Sequence, residues 1–136
     1  MTLVKGKIVK GGGIATQTVQ KQSPFFKERG LDLYGYFIGT INMDISPRVF
    51  EVTNPDFDFR NIIWEDDFSE NFKFVEISIM FEGNDYSGYL YNPSRSINHS
   101  GIMEILTVFI DGVENGKFIE IDIPESRVEF KQPGSK

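Results

Sequence analysis

Phe72-Lys73-Phe74-Val75-Glu76-Ile77-Ser78-Ile79-Met80-Phe81 is followed at once by Glu82-Gly83-Asn84-Asp85 and then by Tyr86 to Tyr91. Large apolar residues at alternate positions mark a strand that turns one face to a core. The glycine-containing tetrapeptide reads as a hairpin turn leading into the next strand. Phe72 and Phe74 alternate in one phase, and Ile77, Ile79 and Phe81 in the opposite one. That switch predicts a β-bulge near Val75. The stretch sets the class of the chain as β structure built from hairpins.

Working outward, Leu3 to Lys10 is a strand that runs into Gly11-Gly12-Gly13, and Ile14 to Val19 reads as a second short extended piece. Ser23-Pro24 opens the one clear helical signal, with serine as N-cap, proline at the first helical position and a stop at Gly30. Leu33 to Ile45 reads as a long extended segment in which Gly35 and Gly39 mark bends or close backbone approach. Phe57, Phe59 and Ile62 recur in the next segment. Ile102 to Phe109 is apolar throughout and fits strand or helix by periodicity. Ile119, Ile121 and Ile123 alternate with Glu120 and Asp122, giving a strand with one wet face. Arg127 to Phe130 adds a last short strand, and residues 132–136 read as a disordered tail. Many short strands with glycine punctuation and one helix predict a small, mostly β barrel, with residues 1–131 as a single domain.

Composition narrows the chemistry. A chain of 136 residues suffices for one domain with a real core. It has no cysteine, which excludes disulfides and thiolate chemistry, and a single histidine, His99, which excludes a multi-histidine zinc site within the chain. A net charge of -6 argues against nucleic acid and anionic membranes as partners. No apolar run approaches the roughly 20 residues of a membrane span, and the N-terminus lacks the apolar core of a signal peptide. The expectation is a soluble, cytoplasmic, monomeric protein acting on small molecules.

Four stretches could carry chemistry. Gly39-Thr40-Ile41-Asn42 offers a hydroxyl and a carboxamide on alternate residues, which share a face if the backbone is extended. Two neutral oxygens side by side suit a hard cation such as Mg2+, although a threonine and an asparagine at a strand end often serve only backbone groups. The Gly11-Gly12-Gly13 amides could form an anion-binding concavity or simply a flexible turn. No Gly-Lys-Ser/Thr follows the glycines, and no helix is expected to open after them, so neither common phosphate-loop fingerprint applies. The polar stretch from Asn92 to Ser100 gathers Arg95, Ser96 and His99, and Arg95 is a candidate phosphate or carboxylate clamp. Glu104 interrupts the apolar run Ile102-Met103-Glu104-Ile105-Leu106. It reads either as an outward-facing position or as a base or ligand-anchoring carboxylate. Glu65-Asp66-Asp67 reads as a solvated loop.

In this order, the pieces resemble the archaeal-type CTP-dependent riboflavin kinases, which are six-stranded cradle-loop barrels with a short helix. The resemblance runs from Gly6 to about Ile123. It rests on Gly6-Lys7-Ile8-Val9-Lys10-Gly11-Gly12-Gly13, on Gly39-Thr40-Ile41-Asn42, on Pro93-Ser94-Arg95-Ser96 with His99, and on Met103-Glu104-Ile105-Leu106. It implies a nucleotide held by Gly12, Gly13, Ile14, Ala15, Thr16 and Gln17, with Mg2+ on Thr40 and Asn42. It also implies riboflavin beside Ser96 and Glu104, with Glu104 as the catalytic carboxylate and Arg95 and His99 as further phosphate or ligand contacts. The implied reaction is phosphoryl transfer from CTP or another nucleotide to riboflavin, giving FMN. Ile14 and Ala15 stand where the family carries an acidic residue and a glycine. Thr107-Val108-Phe109-Ile110-Asp111-Gly112 replaces the family's Pro and Leu-Arg element. Those departures keep a second expectation open, a catalytically silent barrel that binds a flavin, a nucleotide or another small ligand.

Overall fold

The computed structural model describes residues 2–10, 15–37, 39–65, 68–95 and 101–131. Nine strands and one helix follow in chain order among them: β1 (Thr2–Val9), α1 (Ala15–Glu28), β2 (Ile41–Asp44), β3 (Val49–Val52), β4 (Phe57–Glu65), β5 (Phe68–Phe81), β6 (Asn84–Pro93), β7 (Ile102–Thr107), β8 (Phe118–Ile123) and β9 (Val128–Lys131). The main sheet runs β4-β5-β6-β7-β2-β1-β8, and β8 returns to pair with β5. Six strands therefore close into an antiparallel barrel, while β4 pairs with the first half of β5 outside the closure. Strands β3 and β9 form a separate two-stranded sheet.

Closure creates two cores from one sheet. Successive side chains on a strand point to opposite faces, and here both faces of several strands are covered. Val4, Ile8, Met43, Ile79, Met103 and Ile121 fill the barrel interior. The register sets Ile8, Met43 and Met103 side by side, and likewise Val4, Ile121 and Ile79. On the outer face Phe59, Phe72, Phe74, Tyr91 and Leu106 meet Val19 and Phe26 of α1. Gly88 permits close approach within the barrel wall, since a Cβ there would lie 2.5 Å from the Leu106 carbonyl oxygen.

These two cores account for the phase switch in β5. The pairing of β5 with β6 runs unbroken from Phe72↔Pro93 to Phe81↔Asn84, so the bulge expected near Val75 does not exist. Phe72 and Phe74 are buried under the helix, whereas Val75, Ile77, Ile79 and Phe81 are buried in the barrel. The alternation never slips; the covered face changes. The hairpin forms where expected with a shorter turn: Glu82 and Gly83 alone, both at positive φ (48° and 81°) as a tight two-residue turn requires, while Asn84 and Asp85 already belong to β6. Ile102–Thr107 resolves as a strand.

The helix begins earlier than its sequence signal. Residues 15–19 are helical rather than extended, and Pro24 lies inside α1 instead of opening it. Val19, Gln22 and Phe26 are the buried positions, a spacing of one helical face. Proline costs a helix one internal hydrogen bond, and docking of this face onto the aromatic outer core offsets that cost. The stop at Gly30 holds: Leu31 N–H donates to the Phe26 carbonyl at 2.9 Å and Gly30 N–H to that of Lys27 at 3.1 Å, with Gly30 at φ 108°. The long extended segment expected from Leu33 reduces to β2, and residues 34–36 are a turn and bend with Gly35 at φ 86°.

Candidate functional site

Antiparallel pairing brings the C-terminal end of β1, the N-terminal end of β2 and the C-terminal end of β7 to one rim of the barrel. A cavity of about 520 Å³ opens there, and its lining includes Lys10, Phe37, Thr40, Asn42, Phe109 and Asp111. Thr40 and Asn42, singled out from sequence, thus share one cavity. Thr40 Oγ1 is buried and has no hydrogen-bond partner among the described residues. A hydroxyl left unsatisfied in a folded protein costs about 1–3 kcal/mol, and this one belongs to a residue that lines the cavity. Asn42 is 9% exposed and hydrogen-bond capable beside it.

Glu104 reaches the same neighbourhood by register. Asn42 of β2 pairs directly with Glu104 of β7, and Glu104 pairs with Tyr91 of β6. Direct cross-strand partners share a face, so Asn42, Glu104 and Tyr91 form one rung on the outer side of the barrel. The rung continues through Phe74 to Phe57. Glu104 is half-buried and sits on the outer face of β7, next to Ile105, which lines the cavity, and beside its cross-strand partner Asn42, which lines it too. Neither reading of this glutamate is complete alone: it faces outward, as a plain half-exposed position would, yet into a covered polar rung.

Two residues that sequence reasoning passed over join this rung. The Tyr91 hydroxyl donates to Gln22 Oε1 of α1, a buried bond that pins the helix over the site. Burial raises the Tyr91 hydroxyl pKa above its ordinary 10.0; the carboxylates of Glu104 and Glu70 push it further the same way, and the Gln22 bond opposes them. In the unfolded chain this tyrosine ionises near pH 10.0, whereas the folded protein keeps its proton. The folded state then binds more protons above that pH, and stability falls as pH rises past it. Thermal melts should therefore drop on the alkaline side of about pH 10 and drop less in Tyr91→Phe. Tyr36 and Tyr89 are shifted upward by burial too, so part of the slope will persist. Parallel curves for parent and variant would show that Tyr91 does not hold its proton as described.

The loop beyond β6 is anchored at its start. Buried Glu70 accepts Trp64 Nε1–H at 2.9 Å with one oxygen and the Arg95 backbone N–H at 2.9 Å with the other. Arg95 itself is exposed. Ser96 and His99 lie outside the described residues, as do Gly12, Gly13 and Ile14, and for Ala15, Thr16 and Gln17 only the backbone is described, as the first turn of α1. A helix does open close after the glycine run, contrary to the sequence expectation. Of the acidic trio, Glu65 is exposed at the end of β4, and Asp66 and Asp67 are outside the described residues.

Among the described residues no three His, Asp or Glu side chains converge as a metal cluster. A cation at Thr40 and Asn42 would rely on neutral oxygens and on oxygens of its ligand, a donor set that suits Mg2+ shared with phosphates. No helix among the described residues is long and apolar enough to cross a membrane. No protein-family model matches the chain, and no curated protein matches it significantly.

Proposed function

We propose that the protein transfers the terminal phosphoryl group of CTP or another nucleoside triphosphate to riboflavin, giving FMN, with Mg2+ held at Thr40 and Asn42. The observation that carries this reading is that Thr40, whose buried Oγ1 has no hydrogen-bond partner among the described residues, lines one cavity with Asn42, whose cross-strand partner is Glu104. The order of the sequence motifs supplies the substrate pair. Magnesium, when bound, would neutralise charge on the phosphates. Lys10, in the same cavity, adds a fixed positive charge for the polyphosphate.

The acceptor approaches from the Glu104 side. Its ribityl 5'-hydroxyl oxygen forms a bond to the terminal phosphorus, the bond from that phosphorus to the bridging oxygen breaks, and the nucleoside diphosphate leaves. Glu104 accepts the hydroxyl hydrogen bond and takes the proton as the new bond forms. Phosphoryl transfer asks little more of a protein than alignment and charge neutralisation. A neutral-oxygen corner, one cation and one carboxylate on neighbouring strands are adequate parts.

Asp111 and Glu114 also line the cavity, and their negative charge opposes a polyphosphate, which favours a second reading, a barrel that binds a flavin or another small ligand without turnover. One experiment separates the two. The protein is incubated with riboflavin, Mg2+ and each nucleoside triphosphate in turn, and FMN is sought by chromatography. Product that depends on both the triphosphate and Mg2+ is the expected result. Absence of FMN with every triphosphate would rule out the kinase reading.

A further inference from the structure

Phe37 and Phe109 are large aromatic residues that the fold leaves outside both cores. They are 48% and 67% exposed, and both line the cavity that holds Thr40. Their ring centroids lie 5.9 Å apart at 50° between planes, so the two form a pair with ring surface still uncovered. The pair is fixed to the barrel: the Phe37 N–H donates to the Thr107 carbonyl at 2.9 Å, and Phe109 follows two residues after the end of β7. An aromatic lip tied to rigid backbone at a cavity mouth is suited to a planar ring.

We infer that this lip stacks against the base of the nucleotide, an inference that rests on the phosphotransferase reading above. Strands β7, β2 and β1 are consecutive in the sheet. The rim therefore presents the lip, then the Thr40 and Asn42 corner, then Lys10. One elongated ligand can lay a ring on the first and bring its polyphosphate to the second, where Asn42 adjoins Glu104, with Lys10 flanking it. Riboflavin carries a planar ring too, but the Glu104 side chain is on the outer face of β7 and does not line the cavity, so we assign the cavity to the donor and the outer side, where Glu104 pairs with Asn42, to the acceptor. Stacking accepts any base and grows with ring area. Grip of this kind replaces hydrogen-bond selection of one base and favours purine over pyrimidine triphosphates.

The test is calorimetric titration of parent and Phe109→Ala with ATP, CTP, riboflavin and inorganic tripolyphosphate, all with Mg2+. Tripolyphosphate has the charge of the nucleotide tail and no ring. The expected result is that Phe109→Ala weakens ATP roughly ten-fold, CTP by less, and tripolyphosphate not at all, while Phe109→Trp restores ATP affinity. Phe109 is exposed enough that its truncation should leave the melting temperature unchanged. Equal weakening of tripolyphosphate and nucleotides, or no weakening of either, overturns stacking. Weakening of riboflavin alone reassigns the lip to the acceptor and overturns it as well. If the parent binds neither nucleotide nor tripolyphosphate, the phosphotransferase reading falls and takes the lip with it, an outcome distinct from all the others.

Discussion

Thr40→Val is expected to abolish FMN formation while leaving the protein as stable as the parent, or slightly more so. The two effects have opposite signs for one reason. Thr40 Oγ1 is buried with no hydrogen-bond partner among the described residues, so the isosteric methyl removes an unsatisfied polar atom and breaks no bond described in the fold. Unsatisfied hydroxyls cost about 1–3 kcal/mol, and a gain up to that size is the ceiling for the variant. Catalysis should move the other way. A metal at the transferring phosphate is worth several kcal/mol, and each ~1.4 kcal/mol is tenfold in rate, so losing a ligand oxygen should lower the rate by roughly a hundred-fold or more. Asn42→Ala should match that loss, but at 9% exposure in the middle of a paired strand it should also cost stability. The measurements are FMN production and a thermal melt on the same samples. Thr40→Val with full activity would remove the metal corner from the site; Thr40→Val with a sharply lower melting temperature would show that the hydroxyl serves the fold instead.

How much of this was visible in the chain depends on which face of each strand is covered. Ile119, Ile121 and Ile123 read correctly because β8 buries those side chains fully and its other face only partly, so hydropathy and geometry alternate together. The turn was legible because Gly83 suits the positive φ it adopts, although Glu82, also at positive φ, is not a residue that conformation favours. The register of β5 was misread because Phe74 and Val75 are adjacent in sequence and buried in different cores. A one-dimensional pattern records burial but not against what. Helix α1 was shortened for a related reason: its buried face contains Gln22, a polar residue that counts against an apolar stripe yet bonds Tyr91. Within the site, the closeness of Thr40 and Asn42 on one cavity lining follows from local spacing. Their closeness to Glu104 follows from β2 pairing with β7, a contact between distant segments that local spacing does not encode. The exposed pair Phe37 and Phe109 left no signal, since a phenylalanine in an apolar run reads as core.

The helix is the part of the site most easily removed, and Phe26→Ala is the way to remove it. Phe26 is 0% exposed and packs edge-on against Phe72 and Phe74, with centroids at 4.9 and 5.0 Å, while stacking on Phe59 at 5.9 Å. Truncating a fully buried phenylalanine costs about 3–5 kcal/mol, against a total stability of roughly 5–15 kcal/mol for a domain. The urea midpoint should fall by roughly 1–3 M. Tyr34→Ala, at a side chain 93% exposed, should leave the midpoint in place and serves as the control. The rings around Phe26 belong to β4 and β5, outside or at the edge of the barrel closure, so the damage should concentrate on the outer core. Amide exchange should then rise first in α1 and β4, ahead of β1, β2 and β8. Loss of the helix also frees Tyr91 from Gln22 and uncovers the rung that contains Glu104, so acceptor binding should weaken along with stability. A cost below about 1 kcal/mol, the scale of surface substitutions, would mean that α1 is not docked on the barrel. The covered setting assigned to Glu104 would then be lost, leaving that residue as an ordinary outward-facing carboxylate.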